Sequence, residues 1–564
     1  MEDLCVIING SVLYYEEFAV DVDLVNSPYN NMTSPLESAF KSRAAEFGII
    51  SGILIAFLIN LVMSFEYETM KRKVKIKIES ENLLQKSLIL LILLLSLPLV
   101  VAFLIGASLY KFLCSIIIKR RDKHFAGFLD SFDVFWSLED DATKSIINVL
   151  GIIESQSSQE LIEHIKEKLQ SIVQNNDTEK LFYRRSEEYG FYYWRKCCYI
   201  DSSKYVRVID VSNVINLSVS DLEEIMTEVS YQPLPFNDEG LFQILVTNQK
   251  IKNNDKGNSE YGIIFRIHHA VGDGVALIEF LCQTLADGKD DELITFCMPE
   301  TYNVSSKKTG ADYLNMITKL CEIPGCLIDG ILREPDKSSL HGPPLTGKKF
   351  YKWVESNDNL FQMVKDIKEN VEEANFSDIL ATALSSGFRD YFRKEIHPAP
   401  NNIAVILPIR FPAVKNGRVK LENNFTVSIL DLPLGGDLKE IRRRFNRLRN
   451  SSDPLTNYYI LKLCSVFPKE ILTPMFNSNQ ATMVFSNLPG PKVLRICGGD
   501  LKSLVFFVPN KGNTGLGITA LCYDGVLRLG AMADSALVSS PDELGIILDG
   551  MVKEIRSLHD KYVN

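Results

Sequence analysis

The residues best suited to chemistry sit together in the stretch FRIHHAVGDGVAL, 265–277: His268 and His269 side by side, then Asp273 and Gly274. Among seven histidines, an adjacent pair arises by chance about one time in ten at average usage, and the acid and glycine that follow make chance a poor account. A neutral imidazole titrates near physiological pH and can take the proton from a hydroxyl as its oxygen attacks an activated carbonyl. One ring nitrogen must then face the hydroxyl while the other donates to a fixed acceptor. Asp273, a turn further on, suits a structural anchor with a basic partner, and Gly274 allows close approach of backbone or substrate. No GxSxG lies nearby, so the pattern speaks against a Ser-His-Asp hydrolase and requires no acyl-enzyme.

The elements that must hold these residues are readable from periodicity. YGIIFRIHH runs apolar like a core strand, GVALIEFLCQTLAD has helical spacing, and the histidines fall at the junction. Upstream, SIINVLGIIES reads as a strand, SQELIEHIKEKLQSIV as an amphipathic helix, and SDLEEIMTEV as a helix with Ser220 as N-cap and Glu223 at the capping-box position. Residues 332–349, LREPDKSSLHGPPLTGKK, are rich in Pro, Gly and Lys and read as a linker. The mixed pattern then resumes: FSDILATALSSGFRDYFRKE as a helix, NIAVILPIRFP and NNFTVSILDLPL as strands, DLKEIRRRFNRLRN as a basic helix. Two α/β lobes are the economical reading. The Arg442–Arg444 helix reads first as a solvated face, and second as a site for an anionic headgroup or CoA phosphates.

Two stretches exceed what a soluble core needs. GIISGILIAFLINLVMSF, 48–65, is uncharged and long enough to cross hydrocarbon, and a second apolar run occupies 87–118 around Pro98. The tail 1–47 carries acids before its first basic residue, whereas Lys71–Lys77 and Lys119–Lys123 are basic flanks. The positive-inside rule places both flanks in the cytosol, which two simple spans cannot satisfy. A hairpin over 87–118 bent at Pro98 resolves the conflict, with two ordinary spans as the alternative. A formal charge of −10 argues against nucleic acid as a partner. There is no CxxC, zinc-ligand spacing, Walker loop or GxGxxG, so no metal or cofactor is expected. The eleven cysteines are scattered, as in a protein with reduced thiols.

HHxxxDG resembles the motif of the wax ester synthase/diacylglycerol acyltransferase (WS/DGAT) family, related to chloramphenicol acetyltransferase (CAT). Other segments follow in family order: LDSFDVFWSLEDDA at 129–142, QPLPFNDEGLFQILV with Pro233, the crossover LHGPPLTGKKFYKW, FSDILATALSSGFRDYF with Ser377 before Asp378, LPIRFP with Arg410, ENNFTV with Asn424, SNLPGP at 486–491 and YDGVLRLGAMAD. The resemblance covers about residues 125–560.

That resemblance implies an α/β fold of two CAT-like lobes with an interlobe channel, here preceded by an N-terminal helical membrane segment. The expected organisation is a tail 1–47, an anchor 48–118 (a span 48–65 and a span or hairpin 87–118), a lobe 119–331 carrying the motif, a linker 332–349 and a lobe 350–564. The implied activity is transfer of a long-chain acyl group from acyl-CoA to a fatty alcohol or diacylglycerol. His269 would be the general base, His268 auxiliary and Asp273 structural, with Gly274 at the corner and Arg410 as the partner of Asp273. Pro233, Asn424, Ser486, Asn487, Pro489 and Gly490 would lie along the channel, with a donor near Asn487 steadying the oxyanion. Acyl-CoA is a co-substrate, and the expected setting is the endoplasmic reticulum membrane with cytosolic lobes. Two other readings keep the residues but change the outcome: another acceptor such as a sterol, retinol or small amine, or a lipid-binding protein without turnover.

Overall fold

The computed structural model describes residues 4–8, 11–15, 83–173, 176–197, 199–212, 214–252, 259–287, 326, 330, 333–356, 359–394, 399–410, 420–476 and 480–563. The expected span 48–65 lies outside them. Residues 87–118 belong to one helix, α1 (Leu83–Arg121), which runs through Pro98. The expected hairpin is therefore not formed. A proline inside a long helix removes one backbone bond and can kink the helix without ending it. Residues 101–121 are long and apolar enough to cross a membrane by length and composition.

The C-terminal half of α1 is also clamped to the protein. Leu104, Lys111, Cys114 and Ile118 are buried and Ala107 half-buried, alternating three and four residues apart so that they form one stripe. Lys111 Nζ donates to Ser465 O at 2.6 Å, and Phe103 stacks on Phe467 at 5.4 Å between ring centroids. Cys114 and Ile118 pack with Phe191 and Tyr193. Each fully buried large apolar side chain in this stripe contributes about 1.5–3 kcal/mol. The opposite side exposes Ile105, Leu109, Phe112, Leu113 and Ile117.

Beyond α1 the described residues build two large sheets, besides a three-stranded and a two-stranded one. In the first lobe follow α2 (Ser131–Ser137), β1 (Ile146–Glu154), α3 (Ser158–Val173), β2 (Val206–Ile209), α4 (Val219–Ser230), β3 (Phe242–Thr247), β4 (Glu260–His268) and α5 (Gly274–Phe280). Strand β4 is antiparallel to β1 on one side and to β3 on the other, with β2 parallel beyond β3. It is buried almost throughout because α3 covers one face of the sheet and α4 the other, the arrangement that favours continuous apolar strands. Helix α4 starts two residues earlier than expected. Its N-cap is Ser218, and Ser218 and Asp221 exchange both bonds of a capping box.

The second half contributes β5 (Lys349–Glu355), α6 (Phe376–Lys394), β6 (Asn402–Arg410), β7 (Phe425–Pro433), α7 (Leu438–Asn450), β8 (Met483–Pro489), β9 (Gly499–Phe507), β10 (Leu516–Tyr523), β11 (Val526–Asp534) and α8 (Pro541–Tyr562). Its sheet runs β5-β11-β10-β8-β6-β7. Strand β9 leaves this lobe and pairs antiparallel with β1, so the first sheet is completed by the second half of the chain. The buried pair Arg449–Asp378, 2.7 Å apart, ties α7 to α6. The crossover before β5 is gathered on Asp534, whose carboxylate accepts from Thr346 N at 2.9 Å and Gly347 N at 2.8 Å.

Candidate active site

Strand β4 ends at His268 and α5 begins at Gly274, and the five residues between turn through the space where the lobes meet. The backbone N–H of His269 donates to Ser145 O at 2.7 Å, and its ring is half-buried. His269 Nδ1 lies 3.2 Å from Asn423 Oδ1. The Asn423 amide cannot be turned round, because its Nδ2 donates to the Asp133 carboxylate at 2.9 Å and to His269 O at 2.7 Å. Oδ1 must therefore accept, so the neutral ring carries its proton on Nδ1 and, among the described residues, leaves the Nε2 lone pair uncommitted. Asp133 is itself held by Lys180 at 2.8 Å, and Lys180 Nζ also reaches Leu421 O. Burial raises the Asp133 pKa, and Lys180 pulls the other way.

The His269 ring lies flat on the indole of Trp136, with centroids 3.8 Å apart and planes 13° from parallel. Stacking limits rotation of the imidazole and supports a positive charge on it. Burial pushes its pKa down to about 4, against smaller upward contributions that include Asp273. The ring is thus neutral at physiological pH, as a base must be. Lys511 donates to the carbonyls of Phe135 and Leu138, fixing the end of α2 that carries Trp136.

His268 has a different place from the auxiliary one expected. Its side chain is buried, and Nδ1 accepts from Ala270 N at 3.0 Å. Nε2 is 3.1 Å from Glu139 Oε2, and Arg185 lies 2.6 Å from the other oxygen of Glu139. Both ring nitrogens are committed internally, so this histidine anchors the corner. Burial lowers its pKa, with Glu139 opposing. Burial alone would raise the Glu139 carboxyl, but His268 and Arg185 hold it well below the usual range.

Asp273 caps α5 through Oδ1, which accepts from Ala276 N at 3.0 Å. Its Oδ2 faces Arg410 Nε at 3.3 Å and accepts from Asn424 N at 3.1 Å. Asn424 thus enters the site through its backbone. Gly274 packs closely on β8, since a Cβ there would stand 2.7 Å from the terminal Cδ1 of Leu488. That contact brings the HHxxxDG corner against the SNLPGP strand. Ser486 and Asn487 are buried on β8, Pro489 ends it, and Gly490 passes against the carbonyl of Cys522. Pro233 stands apart from this group, beside a polar cavity that Lys144 and Lys349 also line.

Sequence reasoning did not single out Asn423, Asp133, Trp136, Glu139 or Arg185. Asn423 adjoins Asn424, and three of the others lie in the quoted segment LDSFDVFWSLEDDA. No spacing rule distinguishes them, and nothing local marks Arg185. Among the described residues no group of three or more His, Cys, Asp or Glu could hold a metal ion.

Two α/β lobes with a histidine corner between them define a CAT-like fold. The structure is similar to the wax ester synthase/diacylglycerol acyltransferase from Marinobacter aquaeolei VT8, with TM-score 0.52 and 14% identity over 77% of this chain and 100% of that one. It is also similar to TRI3 trichothecene 15-O-acetyltransferase from Fusarium sporotrichioides, with TM-score 0.50 and 13% identity over 76% of this chain and 94% of that one. At these identities the likeness is one of fold. The search of curated proteins gave no match. Residues 422–558 match the family model described as the WS/DGAT C-terminal domain. That match assigns residues 422–558, within the second lobe, to the WS/DGAT C-terminal domain.

Proposed function

We propose that this chain moves a long-chain acyl group from acyl-CoA to a lipid hydroxyl, with His269 as general base. The acceptor is a fatty alcohol, giving a wax ester, or diacylglycerol, giving triacylglycerol. The observation that carries the reading is the bond between His269 Nδ1 and the fixed Asn423 amide, which leaves Nε2 as a proton acceptor. The acceptor hydroxyl gives its proton to Nε2 as its oxygen attacks the thioester carbonyl. The C–O bond forms, and the carbonyl electrons collect on oxygen. Collapse of that intermediate breaks the C–S bond, and the departing thiolate takes the proton back from the imidazolium. Asn423 and the Trp136 face support the ring while it is charged. The SNLPGP end of β8, held to the corner through Leu488 and Gly274, is assigned the oxyanion.

The acceptors named here dissolve in bilayers, and the apolar face of α1 suits an enzyme fixed there. We place the protein at the endoplasmic reticulum membrane with its lobes in the cytosol, where acyl-CoA arrives. The test is to express the chain in membranes with labelled palmitoyl-CoA and either hexadecanol or diacylglycerol. His269→Ala should lower ester formation by about a hundredfold or more at unchanged membrane integration. Full activity in that variant removes His269 from the chemistry, and failure of the parent to form either ester removes these acceptors.

A further inference from the structure

Lys349 opens β5, and its side chain is 97% buried, being 3% exposed. Among the described residues its ammonium makes no hydrogen bond or ion pair. It lines a cavity of about 260 Å³ together with Lys144, Pro233, Asp238 and Gly347. The cavity lies between the lobes, bounded by the end of α4 and by the crossover.

The carboxylates nearby have other duties. Asp534 is the cross-strand neighbour of Lys349, but its oxygens take Thr346 N, Thr346 Oγ1, Gly347 N and Ala536 N. Asp238 is held by Lys144 at 3.2 Å and accepts from Leu234 N at 2.8 Å. Asp141 also lines the cavity, but its side chain is fully exposed. One lysine of the cavity is thus neutralised by a partner and the other is not. Burial pushes the Lys349 pKa down to about 8, with Asp534 and Glu139 opposing. An ammonium buried without a counter-ion is costly, and replacing it with an apolar side chain would relieve that cost.

We infer that this cavity binds a phosphate-class anion, with Lys349 supplying the counter-charge. The volume is below that of pockets for drug-sized ligands and suits a phosphate ester rather than an acyl chain. Two sources share this chemistry: a phosphate of the acyl-CoA donor, or free phosphate acting as an effector. The first source rests on the acyl-CoA reading above; the anion site does not. Lys144, which lines the cavity, directly precedes Ser145, whose carbonyl accepts from the His269 backbone N–H.

The test is calorimetric titration of the full chain in lipid nanodiscs with CoA, with inorganic phosphate and with S-palmitoyl-N-acetylcysteamine, a thioester without phosphate. Lys349→Met should weaken binding of CoA or phosphate by about tenfold or more, Lys349→Arg should retain most of it, and the phosphate-free thioester should be unaffected. The melting temperature of Lys349→Met should stay equal or rise, which separates lost binding from lost folding. Should that variant fail to fold, Lys349→Gln is read in the same way. Loss for CoA alone assigns the site to the donor, and loss for inorganic phosphate with CoA unchanged assigns it to a free anion. Equal affinities in parent and variant, or a parent that binds neither probe, overturn the proposal. A parent that binds phosphate through Lys349 yet makes no ester leaves the site standing and removes the transferase reading.

Discussion

Asp273 and Arg410 join the two halves of the chain at the site: the carboxylate that caps α5 in the first lobe meets, at 3.3 Å, the guanidinium at the end of β6 in the second. Both side chains are buried, at 8% exposure each. Removing one partner strands the other charge. Arg410→Met should therefore destabilise the protein by about 3–5 kcal/mol, and adding Asp273→Asn should return part of the loss. Thermal inactivation of the single and double variants checks this. Equal stability of parent and Arg410→Met would show that the pair does not hold the lobes together.

Asn423→Ala removes the acceptor that fixes the His269 tautomer. We expect kcat to fall by about a hundredfold with KM for acyl-CoA changed little, because the ring still stacks on Trp136 but no longer presents Nε2 reliably. Steady-state kinetics decide it. A change confined to KM would place Asn423 in substrate binding instead.

The pH profile carries its own sign. With His269 as the proposed base, activity requires the unprotonated ring, and burial holds its pKa at about 4 rather than its ordinary 6.5. The rate for free enzyme and substrate should therefore stay flat on the acid side down to about pH 5 and fall below it. Asn423→Asp puts a negative charge beside Nδ1, raises that pKa and should move the acid limb upward. Stability has the same direction: the unfolded chain takes the proton near 6.5 and the folded chain only near 4, so lowering the pH across that interval favours unfolding. An acid limb near 6.5 in the parent would remove His269 burial from the account.

Gly274 and Leu488 offer a test by compensation. Gly274→Ala places a methyl 2.7 Å from Leu488 Cδ1 and should reduce activity by pushing the corner off β8. Leu488→Ala removes the obstructing atoms, so the double variant should regain activity relative to Gly274→Ala alone. Additive losses in the assay would show that the two side chains do not interfere.

Strands and helices near the site were legible because their apolar periods are strong: β4, α3 and α6 lie where the pattern puts them. The start of α4 was misread by two residues because Ser218 and Ser220 both satisfy the N-cap rule, and only the exchange with Asp221 distinguishes them. Pro98 suggested a break that an apolar helix does not need. The sequence places His269 and Asp273 in one motif, but Asn423 reaches the ring from 154 residues away. Such a contact has no local pattern to announce it. The same is true of the buried Lys349, which reads as one of three lysines in the linker.

The path of β9 bears on how the protein is made. Residues 146–268 supply the adjoining strands of the first sheet, yet their outer neighbour is not synthesised until residue 507. At translation rates of about 5–20 residues per second, roughly 240 further residues keep the free edge of β1 waiting ~12–48 s. Throughout that interval an apolar strand edge near the ribosome can pair with other nascent chains, which makes it a natural client for chaperones. The two lobes are separate in shape but not in their assembly on the ribosome.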